Sequence, residues 1–379
     1  MIKQLKTLTI NIFAGANVAT VLLMLAAGYS DRISPVSYPL LSNLGMIFPV
    51  FLLVNLIFIF FWLTFKWRKV WIPIVGYLLA YPAIALYMPM HSAQDVPEDV
   101  IKVLSYNVCS YSGVDIYKGS EGFDTIYKYL DRQDADIVCL QEDVDTWRRY
   151  VLHRFQKIYP YNDTVIFYSN SEGANGMGIH TRFPIIRREH IPYYSRAHAN
   201  GSMAWFLKVK DDTVIVINNH LEGTHLSQED RNRYEEMIKG RMKRDTVKEE
   251  SMLLLGKLGE ASAIRAKAAE AIQHYIESHK QYPMIVCGDF NDNPISYSRH
   301  IVAKGLTDCF EETGKGLGLS YNRKGFYFRI DHILCSDHFA PYNCQIDDKI
   351  DASDHYPILC WLKLVHIRAS ALRAYRSMD

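Results

Sequence analysis

The chain has 379 residues, enough for one large domain or two ordinary ones. A net charge of +1 excludes a global electrostatic pull toward nucleic acid or anionic lipid, and seven scattered cysteines with no C-x-x-C pair exclude a zinc-finger framework. The mean hydropathy of −0.08 conceals a split between an overwhelmingly apolar N-terminal stretch and an ordinary globular remainder.

Within residues 1–92, apolar runs at about 10–29, 40–65 and 70–90 each approach or exceed the roughly 20 residues that cross a bilayer. They predict three transmembrane helices and a lipid bilayer as partner. The first run follows Lys3 and Lys6 and could pass for a signal peptide, but Tyr29-Ser30-Asp31 is a poor small-residue cleavage site, so it reads as a retained helix. Lys3, Lys6, Lys66, Arg68 and Lys69 flank one side of the predicted spans; Asp95, Glu98 and Asp99 lie on the other. The positive-inside rule then puts the N-terminus in the cytoplasm and the large domain outside it, in an integral membrane protein. Residues 93–100 are polar, contain Pro97 and read as a linker.

Residues 101–365 read as one domain. Ile101 to Val108 alternates like a strand, and Phe123, Ile126, Tyr127 and Leu130 form the apolar stripe of a helix. Asp136 to Gln141 returns to a strand, and further strands are expected at 164–168, 177–180, 203–209, 213–218, 284–287, 330–335 and 356–364. Residues 228–280 are rich in Ala, Glu, Lys and Arg and read as helical. Strands with interspersed helices predict an α/β layered sandwich with mixed or antiparallel sheets. The charges of the helical insert are mixed in sign, which favours a solvated face over a nucleic-acid groove. Residues 366–379 form a basic tail with Arg368, Arg373 and Arg376. Cys139, Cys287 and Cys360 sit in apolar runs and read as buried thiols, whereas Cys335 and Cys344 could bridge in an oxidising compartment.

Polar residues interrupt these strands at their ends. Asn107 closes the first, Glu142 follows DIVCLQ, His220 ends TVIVINN, Asp289 and Asn291 end MIVCG, Asp331 lies in RIDHILCS, and Asp354-His355 opens the last strand. Strand ends converge on a sheet rim, where such a set supplies oxygen ligands for Mg²⁺ or Mn²⁺, groups to orient water, and stabilisers for a phosphate. Each piece alone also reads as a turn or a solvated strand end. GKGLGLS lacks the lysine of a phosphate-binding loop, and no G-x-S-x-G or H-E-x-x-H appears.

In order along the chain, VLSYNV, DIVCLQE, GMGIHTRFPI, INNHLE, IVCGDFNDNPIS, RIDHILCS and SDHYPI resemble the endonuclease/exonuclease/phosphatase superfamily, over nearly all of the globular part. The resemblance implies a two-sheet, deoxyribonuclease-like α/β sandwich and a metal-dependent phosphoric ester hydrolase. It implies metal-side roles for Glu142, Asn107 and Asp354 with Mg²⁺ or Mn²⁺, and catalytic roles for His220, Asp289, Asn291, Asp331 and His355. Asp289 and Asn291 would align the attacking water. His355, paired with Asp331, would contact the scissile phosphate, and His220 would act as acid or phosphate binder. His180 and His332 depart from the residues common at their positions. The substrate expected is a phosphodiester, in nucleic acid or alternatively in a lipid headgroup or inositol phosphate; an inactive membrane scaffold is the reading from another class. No lipid-docking apolar loop is evident in the globular part, which tips the expectation toward nucleic acid.

Overall fold

A computed structural model describes residues 2–111, 120–143, 154–170, 173–197, 200–224, 226–323 and 326–365; the basic tail with Arg368, Arg373 and Arg376 lies outside them. Two compact units emerge: residues 1–88 with 225–266 and 293–300, and residues 89–224 with 267–292 and 301–379.

The first unit begins with α1 (Ile2–Gly28), α2 (Phe48–Phe65), α3 (Trp71–Leu79) and α4 (Tyr81–Tyr87). Gln4–Gly28 and Leu41–Phe65, 25 residues each, are long and apolar enough to cross a membrane. The third predicted span departs from a single straight helix: α3 and α4 meet at a 60° bend. Pro82 sits in the first turn of α4, where it has no N–H to donate to the preceding turn, so the α3 hydrogen-bond ladder is not continued through it. Membrane association therefore rests on two helices, or three if the bent pair crosses as one.

Small residues let these helices approach. A Cβ on Gly76 would fall 2.8 Å from Val21 of α1, and one on Gly28 2.9 Å from the Phe48 ring. The crossing of α1 and α2 is fastened by a buried polar cluster. Asn17 Nδ2 donates to Asn55 Oδ1 at 3.0 Å, Trp62 Nε1 donates to Asn17 Oδ1 at 2.8 Å, and Thr20 Oγ1 donates to Asn55 Oδ1 at 3.1 Å. Asn55 Nδ2 is used in turn on the backbone oxygens of Phe51 and Thr20. Outward, Ile12, Leu22, Ile57 and Phe60 are exposed, the surface a lipid solvent requires.

The same unit contains α6 (Gln228–Ile238) and the first part of α7 (Arg244–Ser278), with α5 (Ser120–Gln133) belonging to the other unit. Ser227 caps α6 in a reciprocal capping box with Asp230. Lys257 and Glu250 of α7 pair with Asp230 and Arg233 of α6 at 2.6 and 2.8 Å. The insert is thus not simply a solvated face: its mixed charges hold two helices to each other.

The second unit is the expected two-sheet α/β sandwich. Its strands are β1 (Val100–Asn107), β2 (Ile137–Gln141), β3 (Tyr161–Asn170), β4 (Gly173–Thr181), β5 (Ile185–His190), β6 (Gly201–Val209) and β7 (Asp212–His220). There follow β8 (Met284–Asp289), β9 (Thr307–Asp308), β10 (Tyr321–Arg323), β11 (Phe326–Phe328), β12 (Asp331–Cys335), β13 (Phe339–Ile346) and β14 (Ile358–Leu364). One sheet runs β13-β14-β1-β2-β4-β3, the other β5-β6-β7-β8-β12-β9, and β10-β11 is a separate hairpin. Among the described residues only β1–β2 and β7–β8 are parallel, and α5 and α7 respectively lie in the chain between their members, as a crossover demands. The inner faces pack Val103, Ile137, Ile179, Trp205, Val216, Ile285 and Ile333 into one core.

Two expectations change here. The expected linker 93–100 is tied to the sandwich at one point, where Gln94 and Asn343 exchange hydrogen bonds of 2.8 and 2.7 Å, and just before it His91 N donates to Gly314 O at 3.1 Å. All seven cysteines are free, and Cys335 faces Cys309 at 3.7 Å rather than Cys344.

Replacing Asn55 by Leu strips Asn17 and Thr20 of a partner while adding nothing that packs better in lipid. We expect a loss of about 1–2 kcal/mol, read as a lower unfolding midpoint in detergent, whereas an outward Ile57→Val change should leave the midpoint nearly unmoved. Gly288, at φ +129°, has no room for a Cβ, which would lie 2.0 Å from Asn219 O; Gly288→Ala should abolish the yield of folded protein.

Candidate active site

Strand pairing explains why distant residues meet. Asn107 is opposite Gln141 across β1–β2, and Glu142 follows directly. His220 is opposite Asp289 across β7–β8, and Asp289 is opposite Asp331 across β8–β12. Ser353, Asp354 and His355 approach β14, with Ser353 Oγ donating to Asn107 O at 2.7 Å. All eight predicted site residues are therefore brought to one end of the sandwich.

The Asp289 carboxylate is the centre. Its Oδ2 accepts from Asn107 Nδ2 at 3.1 Å and from Asn291 Nδ2 at 3.3 Å. The same oxygen lies 3.6 Å from His355 Nε2 and 3.7 Å from His220 Nε2. Its Oδ1 accepts the Asn291 backbone N–H at 2.8 Å. Asn107 also donates to Glu142 Oε1 at 3.3 Å, its Oδ1 being occupied by the Cys109 N–H at 3.0 Å. His355 Nδ1 meets Asp331 Oδ2 at 2.8 Å.

These neighbours drive the two imidazoles apart. Burial works against a charge on His355, but Asp331 and Asp289 overcome it and push the ring up to about 10, so it is an imidazolium at neutral pH. Burial holds His220 below the ordinary histidine range, reinforced by the positive charge of His355. Burial and the charge of Asp354 raise the Glu142 carboxyl. Burial also raises Asp289, with Asp331 adding to it and both histidines opposing. Burial would raise Asp354, yet His355 and Arg323 bring it down. One His charged and one neutral, side by side, is a division of labour set by environment.

Two of the site residues sit in left-handed backbone: Glu142 at φ +54° and Asn291 at φ +51°. Asparagine tolerates this, and the Asp289 side chain secures the turn. Glutamate does not, at a cost of about 1–3 kcal/mol, so something must hold it. That support was not read from the sequence. Asp143, next in the chain, is buried and accepts from the Tyr111 hydroxyl at 2.5 Å and the Thr164 hydroxyl at 3.2 Å, with His180 at 3.4 Å. A Cβ on Gly178 would strike it at 1.9 Å. His180 thus braces the Glu142 turn from behind, and His332 is likewise internal, 3.8 Å from Asp308 and packed on Phe290. Asn218 is a second unread residue. It accepts from Gln141 Nε2 at 2.6 Å and donates to the Leu140 and Gly178 oxygens at 3.0 and 3.2 Å, tying β7 to the opposite sheet two residues before His220. An Asn within an apolar run gave only a faint signal.

The donor set fits a hard divalent cation. By distance alone Asp289, Asp331 and His355 bring three ligand atoms within 4.8 Å of one another, but the proton on His355 already satisfies that trio. Glu142 is held above its ordinary range by burial and the charge of Asp354, which the charge of His355 offsets only in part. Its neighbour His220, at 3.8 Å, is held neutral, and Asp354 repels it. A cation there would relieve Glu142, and oxygen donors would select Mg²⁺, Mn²⁺ or Ca²⁺ over softer metals.

Beside His355 stands Tyr321, ring centroids 5.2 Å apart and edge-on. Tyr321 also lines a cavity of about 1030 Å³ together with Tyr327, Tyr356, Trp361, Asn322 and Lys315. Arg323 reaches Asp354 Oδ2 at 3.5 Å.

Residues 104–355 match the Endonuclease/Exonuclease/phosphatase family, and residues 10–87 match a family described as a domain of unknown function. No curated protein sequence matches the chain. Among solved structures, the human Nocturnin catalytic domain with bound sulfate anion is 18% identical, covers 72% of this chain and 97% of its own, and superposes with a TM-score of 0.51. An endonuclease/exonuclease/phosphatase from Beutenbergia cavernae is 15% identical, covers 70% of this chain and 72% of its own, with a TM-score of 0.51. At these identities the likeness concerns the fold. The family match takes in about two-thirds of the chain and every one of the eight rim residues, and the chain belongs to the Endonuclease/Exonuclease/phosphatase family.

Proposed function

We propose that the chain is a membrane-anchored, divalent-metal-dependent hydrolase that cleaves a phosphodiester bond, and that its substrate is nucleic acid. The observation that carries the reading is the Asp289 carboxylate with two imidazoles on it, 3.6 and 3.7 Å away, one raised in pKa and one lowered, and a Glu142 carboxyl raised by burial and Asp354 alongside. Glu142 and Asp354 would hold Mg²⁺ or Mn²⁺, with Asn107 fixing Glu142 in place. When bound, the cation supplies positive charge against which an anionic phosphate can be attacked.

The remaining work falls to the chain. Asp289, steadied by Asn107 and Asn291, aligns a water and takes its proton as the new P–O bond forms and the ester P–O bond breaks. His355, kept charged by Asp331, stabilises the developing negative charge on phosphate oxygens, and the leaving oxygen takes its proton from solvent water. His220 is held neutral by burial, which selects the phosphate-binding role over that of acid. The aromatic cavity beside Tyr321 supports nucleic acid, because bases stack on tyrosine and tryptophan faces regardless of sequence. A lipid-headgroup phosphodiester is the second reading, favoured by the two or three helices apolar enough to enter a membrane. The flanking lysines and arginines support a catalytic domain on the extracytoplasmic side.

Full-length protein in phosphatidylcholine nanodiscs, offered single-stranded DNA, RNA, sphingomyelin, phosphoinositides and bis-p-nitrophenyl phosphate with Mg²⁺ or Mn²⁺, tests both readings. Turnover should vanish in chelator and in Asp289→Ala and Glu142→Ala, and fall by about 10²–10³ in His355→Ala. Wild-type turnover in Glu142→Ala at the same metal concentration would sink the site assignment. Turnover of sphingomyelin or phosphoinositides alone moves the substrate to lipid, and no turnover of any substrate by a folded protein that binds no metal makes it a scaffold.

The ion pair makes a separate prediction for stability in chelator. Because the folded-state pKa of His355 is raised to about 10, the stabilisation by its proton is complete below its ordinary value of about 6.5 and is lost as pH climbs through about 10. Wild-type unfolding midpoints should decline over that interval. Asp331→Asn, which removes the strongest partner opposing burial, should give a flatter profile.

A further inference from the structure

The globular part does carry an exposed apolar surface, and it lies on the insert. Met252, Leu255, Gly259 and Ser262 of α7 are spaced three, four and three apart, which sets them on one helical face. The C-terminal half of that face is docked. A Cβ on Gly259 would lie 2.8 Å from Pro39, and Ser262 Oγ donates to Asn43 Oδ1 at 3.1 Å. Pro39 and Asn43 belong to the short connection between the two apolar helices, and Asn43 is already inside the 25-residue stretch Leu41–Phe65 that is apolar enough to cross a membrane. The same connection is held a second time, by His300 Nδ1 at 3.0 Å from Asp31 Oδ2. Beyond the dock the face continues over Leu255 and Met252, with Leu253 next to them. Tyr38, Leu40, Met252, Leu253 and Leu255 are all 39–59 % exposed. Between residues 251 and 256 the helix has no charge, and Gly256 faces open space.

Residues that touch the end of a membrane span stand at the height of the headgroups, and apolar side chains exposed at that height meet lipid before water. We propose that this face of α7, with Tyr38 and Leu40, is an interfacial surface that enters the boundary between headgroups and acyl chains of the bilayer its own chain crosses. The occupant is lipid, not a second protein, because the surface is continuous with the ends of the spans. Lys248 and Glu249 at one border and Glu260 at the other keep the element in the interface instead of deeper. The inference concerns contact with the bilayer and is independent of what the active site hydrolyses.

Nitroxide labels on Leu253→Cys and Leu255→Cys, in full-length protein in phosphatidylcholine vesicles, test it by their collisions with oxygen, which partitions into lipid, and with a water-soluble nickel chelate. Six native cysteines are buried and one is half-buried, so unsubstituted protein supplies the labelling blank. Oxygen should relax both labels several-fold more effectively than the chelate, while a label on Glu236→Cys of α6 shows the reverse order. Chelate-dominated relaxation at 253 and 255 would overturn the proposal. So would immobilised labels shielded from both reagents, which would assign the surface to a protein partner or a second copy.

Discussion

The end of the sandwich that gathers the eight rim residues depends on one hydrogen bond that crosses between sheets, from Asn107 at the end of β1 to Asp289 at the end of β8, 3.1 Å long and buried. An acid buried in a sandwich core without a partner would take up a proton and lose its chemistry. Asn107 keeps the Asp289 oxygen engaged from the opposite sheet, and the packing of the two sheets sets the length of that contact. Asn218 repeats the arrangement a few residues deeper, joining β7 to the backbone of β2 and β4. Sheet spacing and site geometry are therefore one quantity: anything that shifts the sheets by an ångström also shifts Asp289 against Glu142.

That coupling accounts for the electrostatics. Asp331 and Asp289 are direct cross-strand neighbours, a like-charge pairing that is unfavourable unless a cation lies between. His355 is that cation, and the two acids that need it are what keep it charged. With the positive charge committed there, burial and His355 keep the adjacent His220 below its ordinary range, and the Glu142 carboxyl stays raised despite His355. Burial and Asp354 leave the Glu142 side short of positive charge, which a divalent cation would supply.

How much of this could be read beforehand differs by residue. The eight rim residues were legible because each ends or opens a strand whose apolar pattern is plain, and because motifs such as GDFN and SDH come in a recognisable order. Strand β13 was not, since it carries Pro341 and a bulge between Tyr342 and Gln345 that break the alternation. The bend in the third apolar run was overlooked because hydropathy counts residues and ignores what Pro82 does to the turn before it. Asp143 and His180 act through contacts across three strands and from behind the site, and no local pattern announces them. The tie between Gln94 and Asn343 could not be read either, because its partner lies more than two hundred residues away.

The apolar helices and the site obey the same rule about buried polar groups and use it to opposite ends. Between α1 and α2, Asn17 has both ends of its amide engaged and Asn55 is held by three further acceptors and donors, as lipid demands where no water can help. In the site, His220 Nδ1 and Asp331 Oδ1 are buried without a protein partner. Completing every contact would make that end of the sandwich more stable and leave it nothing to bind. Glu142, held in left-handed backbone by the Asp143 brace, is a further case of stability spent where chemistry is needed. A variant that relaxed this turn, such as Asp143→Asn, would on this argument gain nothing in the fold, because the strain is supported by buried hydrogen bonds that the substitution also weakens.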